Sequence, residues 1–131
     1  ENQSFITWKD HKEWFQRSLL DSNRIMYLGI LEENPVGIIR FDLSNYNIDE
    51  CFVSINIAPK YRGTGIGKKM LKKSILCLMN SNKKISVFKA EVKNENLKSH
   101  KLFITCGFKI LTKNDDLIIY NYNRPIKNVI Y

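Results

Sequence analysis

Residues 62–68 read Arg-Gly-Thr-Gly-Ile-Gly-Lys, and they place three of the chain's six glycines in one turn. A strand-like run precedes the turn and a helix-like run follows it. A glycine-rich turn between a strand and a helix presents backbone N–H groups at the helix N-terminus. Those donors have no partner within the helix and lie at the positive end of its dipole. They suit a phosphate or pyrophosphate. Gly63, Gly65 and Gly67 allow positive φ and a close approach of backbone to ligand, and Arg62 and Lys68 add positive charge. The same glycines would also serve a tight turn with no ligand.

Two familiar phosphate loops are excluded by residue identity. A P-loop needs a glycine five residues before its Gly-Lys pair and a Ser or Thr after it. Gly67-Lys68 has Arg62 and Lys69 at those places. The dinucleotide pattern G-x-G-x-x-G fails because Lys68 stands where the third glycine belongs.

The elements that must hold this turn are legible from periodicity. Ile66, Met70, Leu71, Ile75, Leu78 and Met79 recur at helical spacing to about residue 80. Residues 46–59 read as a strand leading into the turn. Residues 24–31 and 36–43 read as a hairpin joined by Glu-Glu-Asn-Pro, and residues 83–92 as a further strand. Residues 94–107 read as a short helix opened by an Asn cap and closed by Gly107. Two strands around an Asn-Asp turn end the sheet. At the front, residues 7–20 read as an amphipathic helix capped by Thr7, with Trp8, His11, Phe15 and Leu19 near one face. The expected order is α, β, β, β, α, β, α, β, β. The central strand–helix–strand unit requires a right-handed crossover and a parallel pair. One domain over residues 1–123 and a separable tail at 124–131 are expected.

The chain has 131 residues and 44% hydrophobic content, enough for one core. No apolar stretch spans a bilayer and no signal peptide is visible, so a cytoplasmic protein is expected. Cys51, Cys77 and Cys106 are odd in number and far apart, and the two histidines add too few ligands for a metal site. Reduced thiols and no metal are expected. The net charge of +8 favours phosphate-bearing partners, but no aromatic-rich single-strand RNA motif accompanies it. Neither a nucleic acid nor a membrane is expected as a partner.

A third pattern fits the loop. Residues 62–67 match R-x-x-G-x-G, and residues 55–71, Ile-Asn-Ile-Ala-Pro-Lys-Tyr-Arg-Gly-Thr-Gly-Ile-Gly-Lys-Lys-Met-Leu, resemble motif A of the GNAT superfamily of N-acetyltransferases. Residues 92–108, which include Asn94 and Asn96 and end in Gly-Phe, resemble its motif B. The resemblance covers nearly the whole chain. It implies an α/β (α+β) fold, with a mixed, mostly antiparallel sheet, a central parallel strand pair and flanking helices. It also implies that the family's first strand and helix are missing here, so that the domain begins short. It implies acetyl-CoA as co-substrate. The loop, Arg62, Gly63, Thr64, Gly65, Ile66, Gly67 and Lys68, would bind the pyrophosphate. Main-chain groups near Ile55 and Ile57, on a strand splayed from its neighbour, would hold the pantetheine arm, with help from Asn96, and Phe103 would also meet the coenzyme. A backbone N–H there would polarise the thioester carbonyl.

The resemblance further implies direct attack by a neutral amine on the thioester, a base to deprotonate the ammonium, and an acid at the leaving sulfur. Family members place a Tyr acid where this chain has Phe103, which cannot donate a proton. Either the thiolate leaves unassisted or another group serves, with His100 a candidate. Glu50 and Asp49 are the candidate bases, and Asp42 is a further option.

The front of the chain, Trp8, His11, Trp14 and Phe15 followed by Ile39-Arg40-Phe41-Asp42, resembles the branch that acetylates nucleotide-linked amino-deoxy sugars in pseudaminic- and legionaminic-acid pathways. That implies a small-molecule amine as acceptor. The alternatives are a protein N-terminus or lysine, as in ribosomal-protein acetyltransferases, and a non-catalytic acetyl-CoA-binding module. A homodimer, or fusion to another domain, would cover an unpaired sheet edge at the front.

Overall fold

A computed structural model describes residues 3–7, 13–21 and 23–125. Eight strands form one sheet in the order β1-β2-β3-β4-β5-β6-β8-β7. They are β1 (Gln3–Thr7), β2 (Glu13–Asp21), β3 (Arg24–Leu31), β4 (Asn34–Leu43), β5 (Glu50–Ile57), β6 (Val87–Lys93), β7 (Lys109–Lys113) and β8 (Leu117–Asn123). Helix α1 (Ile66–Ser81) joins β5 to β6, and α2 (Leu97–Thr105) joins β6 to β7. Every neighbouring pair is antiparallel except β5–β6, which is parallel as the intervening helix requires.

The front of the chain departs from the helix expected over 7–20. Residues 13–21 are a strand paired with β3 from Glu13↔Leu31 to Asp21↔Arg24, and with β1 from Gln3↔Ser18 to Thr7↔Trp14. The helical spacing of Trp8, His11, Phe15 and Leu19 loses to a ladder that satisfies the backbone of residues 14–18 on both sides. Trp and Phe fit a pleated surface as readily as a helix face. Ser22-Asn23, between the paired Asp21 and Arg24, was the turn signal that the helical reading passed over. Trp14 and Phe15 thus lie on β2, while Trp8 and His11 lie outside the described residues.

The β3–β4 hairpin closes through Glu32 and Glu33, both at positive φ (49° and 70°) between the paired Leu31 and Asn34. This is the left-handed two-residue turn that suits the twist of a hairpin, here built without glycine.

One face of the sheet carries Ile25 and Tyr27 of β3, Ile39 and Phe41 of β4, Cys51 and Val53 of β5 and Phe88 of β6, all buried with Met70, Leu71, Ile75 and Leu78 of α1. Gly29 and Gly37 lie opposite each other on β3 and β4. A Cβ at Gly29 would fall 2.6 Å from Met70 Cε, and one at Gly37 would fall 2.8 Å from the Asn56 carbonyl. The two glycines therefore leave the seat that lets α1 lie close on the sheet. The other face carries Arg24, Arg40, Asp42, Glu50, Ser54 and Lys89, and no helix among the described residues covers it.

Helix α2 ends in a Schellman motif. Phe108 N–H donates to the Phe103 carbonyl at 3.0 Å and Gly107 N–H to that of Ile104 at 3.0 Å, with Gly107 at φ +93°. The rings of Phe103 and Phe108 meet edge to face at 5.0 Å, the hydrophobic contact that accompanies this motif. Arg124, placed in the tail by the sequence reading, is tied to the domain. Its guanidinium donates to the carbonyls of Met79, Asn82 and Ile85 around the end of α1.

Candidate functional site

The β5–β6 ladder is short. It pairs Glu50↔Val87, Cys51↔Phe88 and Phe52↔Lys89, and there it ends. Beyond Phe52 the two strands separate. Ala58 N–H donates to the Val36 carbonyl on β4 at 2.8 Å. By the alternation of a strand, Asn56 and Ser54 also turn their main chain toward β4, so Ile55 and Ile57 turn theirs toward the gap. The Ile57 carbonyl accepts from Arg62 Nε at 2.9 Å.

The gap opens into a groove of about 680 Å³ between the end of β5, the loop, the first turn of α1 and one side of α2. At its head the loop is held open by Gly63 (φ 77°) and Gly65 (φ 85°). A side chain at either would meet no atom within 4 Å, so both face free space. Gly65 caps α1 without a side-chain bond, and the first turn holds no acidic residue. The leading amides of α1 therefore point into the groove mouth unsatisfied and unopposed. Gly67 sits where a Cβ would lie 3.5 Å from Ile57 and 3.7 Å from Leu102, which keeps α1, β5 and α2 close at this point.

Among the described residues four cationic side chains line the groove, Arg62, Lys68, Lys98 and Lys101, and no carboxylate does. Asn96 is the N-cap of α2, its side chain accepting from Ser99 N–H at 3.3 Å. That bond uses its carbonyl oxygen and leaves the amide NH₂ available to the groove.

Of the residues expected at the site, the structure brings Ile55, Ile57, Arg62, Gly63, Gly65, Gly67, Lys68 and Asn96 around this one groove. Thr64 and Ile66 stand in the loop but turn elsewhere. The Thr64 hydroxyl donates to the Tyr61 carbonyl at 2.5 Å, and Ile66 is buried in the core. Phe103 is also buried, between Phe108 and Tyr120, and does not line the groove. The expectation that its side chain meets the coenzyme is corrected by the Schellman contact, which draws the ring inward.

His100 is not brought to the groove either. Its Nε2 bonds the Lys93 carbonyl at 2.9 Å and its Nδ1 the Tyr120 hydroxyl at 2.7 Å. A carbonyl can only accept, so Nε2 carries the hydrogen, and in the neutral ring Nδ1 then accepts from Tyr120. Both ring nitrogens are thus committed to tying α2 to β6 and β8, and burial pushes the Tyr120 hydroxyl up. Glu50 opposes Val87 in the closed part of the ladder, and its carboxylate meets Lys89 Nζ at 2.9 Å. Asp49 is exposed, and its carbonyl accepts from the N–H groups of Ser86 and Val87. Asp42 lies between Arg24 and Arg40 on the helix-free face. None of the three carboxylates lines the groove.

The sequence reading missed Asn56, Tyr61, Lys98, Ser99, Lys101, Leu102 and Thr105, which complete the lining. The spacing of 98, 101, 102 and 105 on one side of a helix already capped by Asn96 was the available signal. Cys106 lies behind this wall, its thiol 4.0 Å from the Lys68 carbonyl. Burial pushes that thiol up, against the opposite pull of Lys72 and Lys68, and keeps it protonated.

Comparison with known proteins agrees with this geometry. The chain is 25% identical over 112 residues to acetyltransferase PseH of Campylobacter jejuni, covering 86% of this chain and 68% of PseH. The crystal structure of that N-acetyltransferase superposes with a TM-score of 0.67 at 24% identity over 80% of this chain and 71% of the other; a complex with acetyl coenzyme A matches equally. RimL, a ribosomal L7/L12 alpha-N-protein acetyltransferase solved with coenzyme A, superposes at 0.70 with 15% identity, over 78% of this chain and 63% of RimL. The model of the acetyltransferase (GNAT) family matches residues 2–108, and the chain belongs to that family.

Proposed function

We propose that this chain transfers an acetyl group from acetyl-CoA to the primary amine of a small molecule, a nucleotide-linked amino-deoxy sugar. The observation that carries the coenzyme is the loop wall of the groove: Arg62 and Lys68 beside an uncapped helix N-terminus, behind glycines that face open space. That arrangement fits a pyrophosphate. The opened strand fits the amide-bearing arm beyond it, with Ile55 offering main-chain groups and Asn96 a side-chain amide. When bound, acetyl-CoA supplies an acyl thioester. The chain's part is to orient that thioester in the gap and to present a backbone N–H where negative charge develops on the carbonyl oxygen. Among the described residues no carboxylate or imidazole lines the groove, so we assign proton removal from the amine to a group on the acceptor's side of the gap. Glu50, Asp49 and Asp42 are the bases proposed for that side, and the thiolate leaves without help from Phe103 or His100.

The acceptor class rests on the PseH-like character of the chain. That likeness appears in both the sequence and the structural comparison. The similar superposition of RimL favours a second acceptor, a protein N-terminus, on the fold alone. Melting the chain with and without acetyl-CoA, with free adenine nucleotides as controls, tests the coenzyme: a rise specific to acetyl-CoA is expected. Acetylation assays with amino-sugar nucleotides beside a ribosomal-protein N-terminal peptide then test the acceptor. Turnover of the peptide alone would overturn the sugar.

A further inference from the structure

The groove has two cationic walls. The loop wall offers the unsatisfied amides of α1, Lys68 and the remaining N–H groups of Arg62, which together match a pyrophosphate. The α2 wall offers Lys98 and Lys101, three residues apart on the same side of the helix as Leu102 and Thr105. Neither lysine has a carboxylate partner among the described residues. Lys98 stands in the first turn of α2, two residues after its N-cap, and that turn holds no acidic residue. A cation there is opposed by the helix dipole, and a second like charge on the same side adds repulsion. Two lysines held against the local field, facing a groove that already contains an anion seat, point to a second anionic group.

We propose that Lys98 and Lys101 form a separate seat for the 3′-phosphate of the coenzyme, making this chain selective for CoA thioesters over their 3′-dephospho analogues. The proposal rests on the acetyl-CoA reading above and adds a subsite to it. The loop wall fixes the middle of the coenzyme, and the α2 wall reads its nucleotide end.

The test is calorimetric titration of the whole chain with CoA and with 3′-dephospho-CoA. The wild type should bind CoA roughly tenfold or more tightly, the scale of a charge-assisted phosphate contact. The double variant Lys98→Ala/Lys101→Ala should lose that preference. Its CoA affinity should fall to the dephospho level, and its dephospho-CoA affinity should stay within about twofold of wild type. Lys98→Arg/Lys101→Arg should keep the preference. Both lysines are exposed, so the variants should melt as the wild type does without ligand. Equal binding of the two ligands by the wild type overturns the second seat and leaves the coenzyme reading standing. An equal loss for both ligands in the alanine variant overturns it too, because the lysines would then supply only a general field. Failure of the wild type to bind either ligand overturns the coenzyme reading together with the seat.

Discussion

The groove and the helix-free face of the sheet are both rich in charge, and they handle it in opposite ways. On the face, Arg24 Nε bonds Asp42 at 2.7 Å, Arg40 Nε bonds the other oxygen of Asp42 at 3.1 Å, and Lys89 meets Glu50 at 2.9 Å. Arg40 also reaches Ser54 Oγ at 3.4 Å. Each cation there finds an acceptor on a neighbouring strand. In the groove, four cations stand without a carboxylate among the lining residues. Pairing across strands, and along β4 for Arg40 and Asp42, explains the first pattern with nothing added. The second leaves like charges side by side in the free protein, an arrangement that an anionic ligand would relieve. Charge density alone would not separate the two regions; the pairing does.

The strongest way to break the contrast is to place an anion in the groove by mutation. Gly65→Asp sets a carboxylate at the loop, in space that is empty around Gly65. Acetyl-CoA affinity should fall by at least about a hundredfold, since facing like charges cost several kcal/mol. The chain should fold at some cost in stability, since an aspartate at φ 85° is strained, and titration calorimetry beside a melting curve separates that cost from the loss of binding.

Between the two regions runs the closed part of the β5–β6 ladder, where burial pushes the Cys51 thiol up from 9.0 to about 12, with Asp42 adding to the rise. The folded state favours the protonated thiol. That stability is fully present below pH 9.0 and is lost as the pH climbs toward about 12. The melting temperature should drop across that window, by up to about 1.4 kcal/mol of stability per pH unit. In Cys51→Ala the alkaline slope should be shallower, and an unchanged slope would remove Cys51 as its source.

Salt sharpens the comparison further. Raising ionic strength from about 0.05 M to about 0.5 M should weaken acetyl-CoA binding several-fold, because open cations are screened. The unliganded melting temperature should hardly move, because the paired face contributes little. Affinity that ignores salt would show that the four cations do not touch the ligand.

The smallest effect belongs to the face. Arg24→Ala removes one partner of Asp42, leaving Arg40, at a half-exposed site. A loss of at most about 1 kcal/mol is expected, with coenzyme affinity unchanged. A large affinity change would tie the face to the groove.

The parts of this site that depend on backbone conformation were legible in the sequence. Gly63 and Gly65 stand at positive φ, where few other residues fit, and Asn96 caps α2 because its short amide reaches Ser99 N–H. Helix α1 was visible because its apolar spacing is long and regular. The parts that depend on competition between segments were not legible. Residues 13–21 satisfy a helical spacing and a ladder at once, and only the presence of β3 decides. Lys98 and Lys101 look like any exposed lysines until the loop is set opposite them. His100 has the chemistry of an acid but lies beside Lys93 and Tyr120, which take both its nitrogens.

The seat of Met70 on Gly29 and Gly37 reaches beyond packing. That side chain is a spacer under the first half of α1, and the amides that face the ligand ride on the same helix. A methyl at Gly29 would meet the flexible end of Met70, which can turn aside, whereas a methyl at Gly37 would meet the Asn56 carbonyl at 2.8 Å and require backbone to shift. Because Asn56 belongs to the groove's own lining, a packing change at Gly37 would reach the groove from inside the sheet.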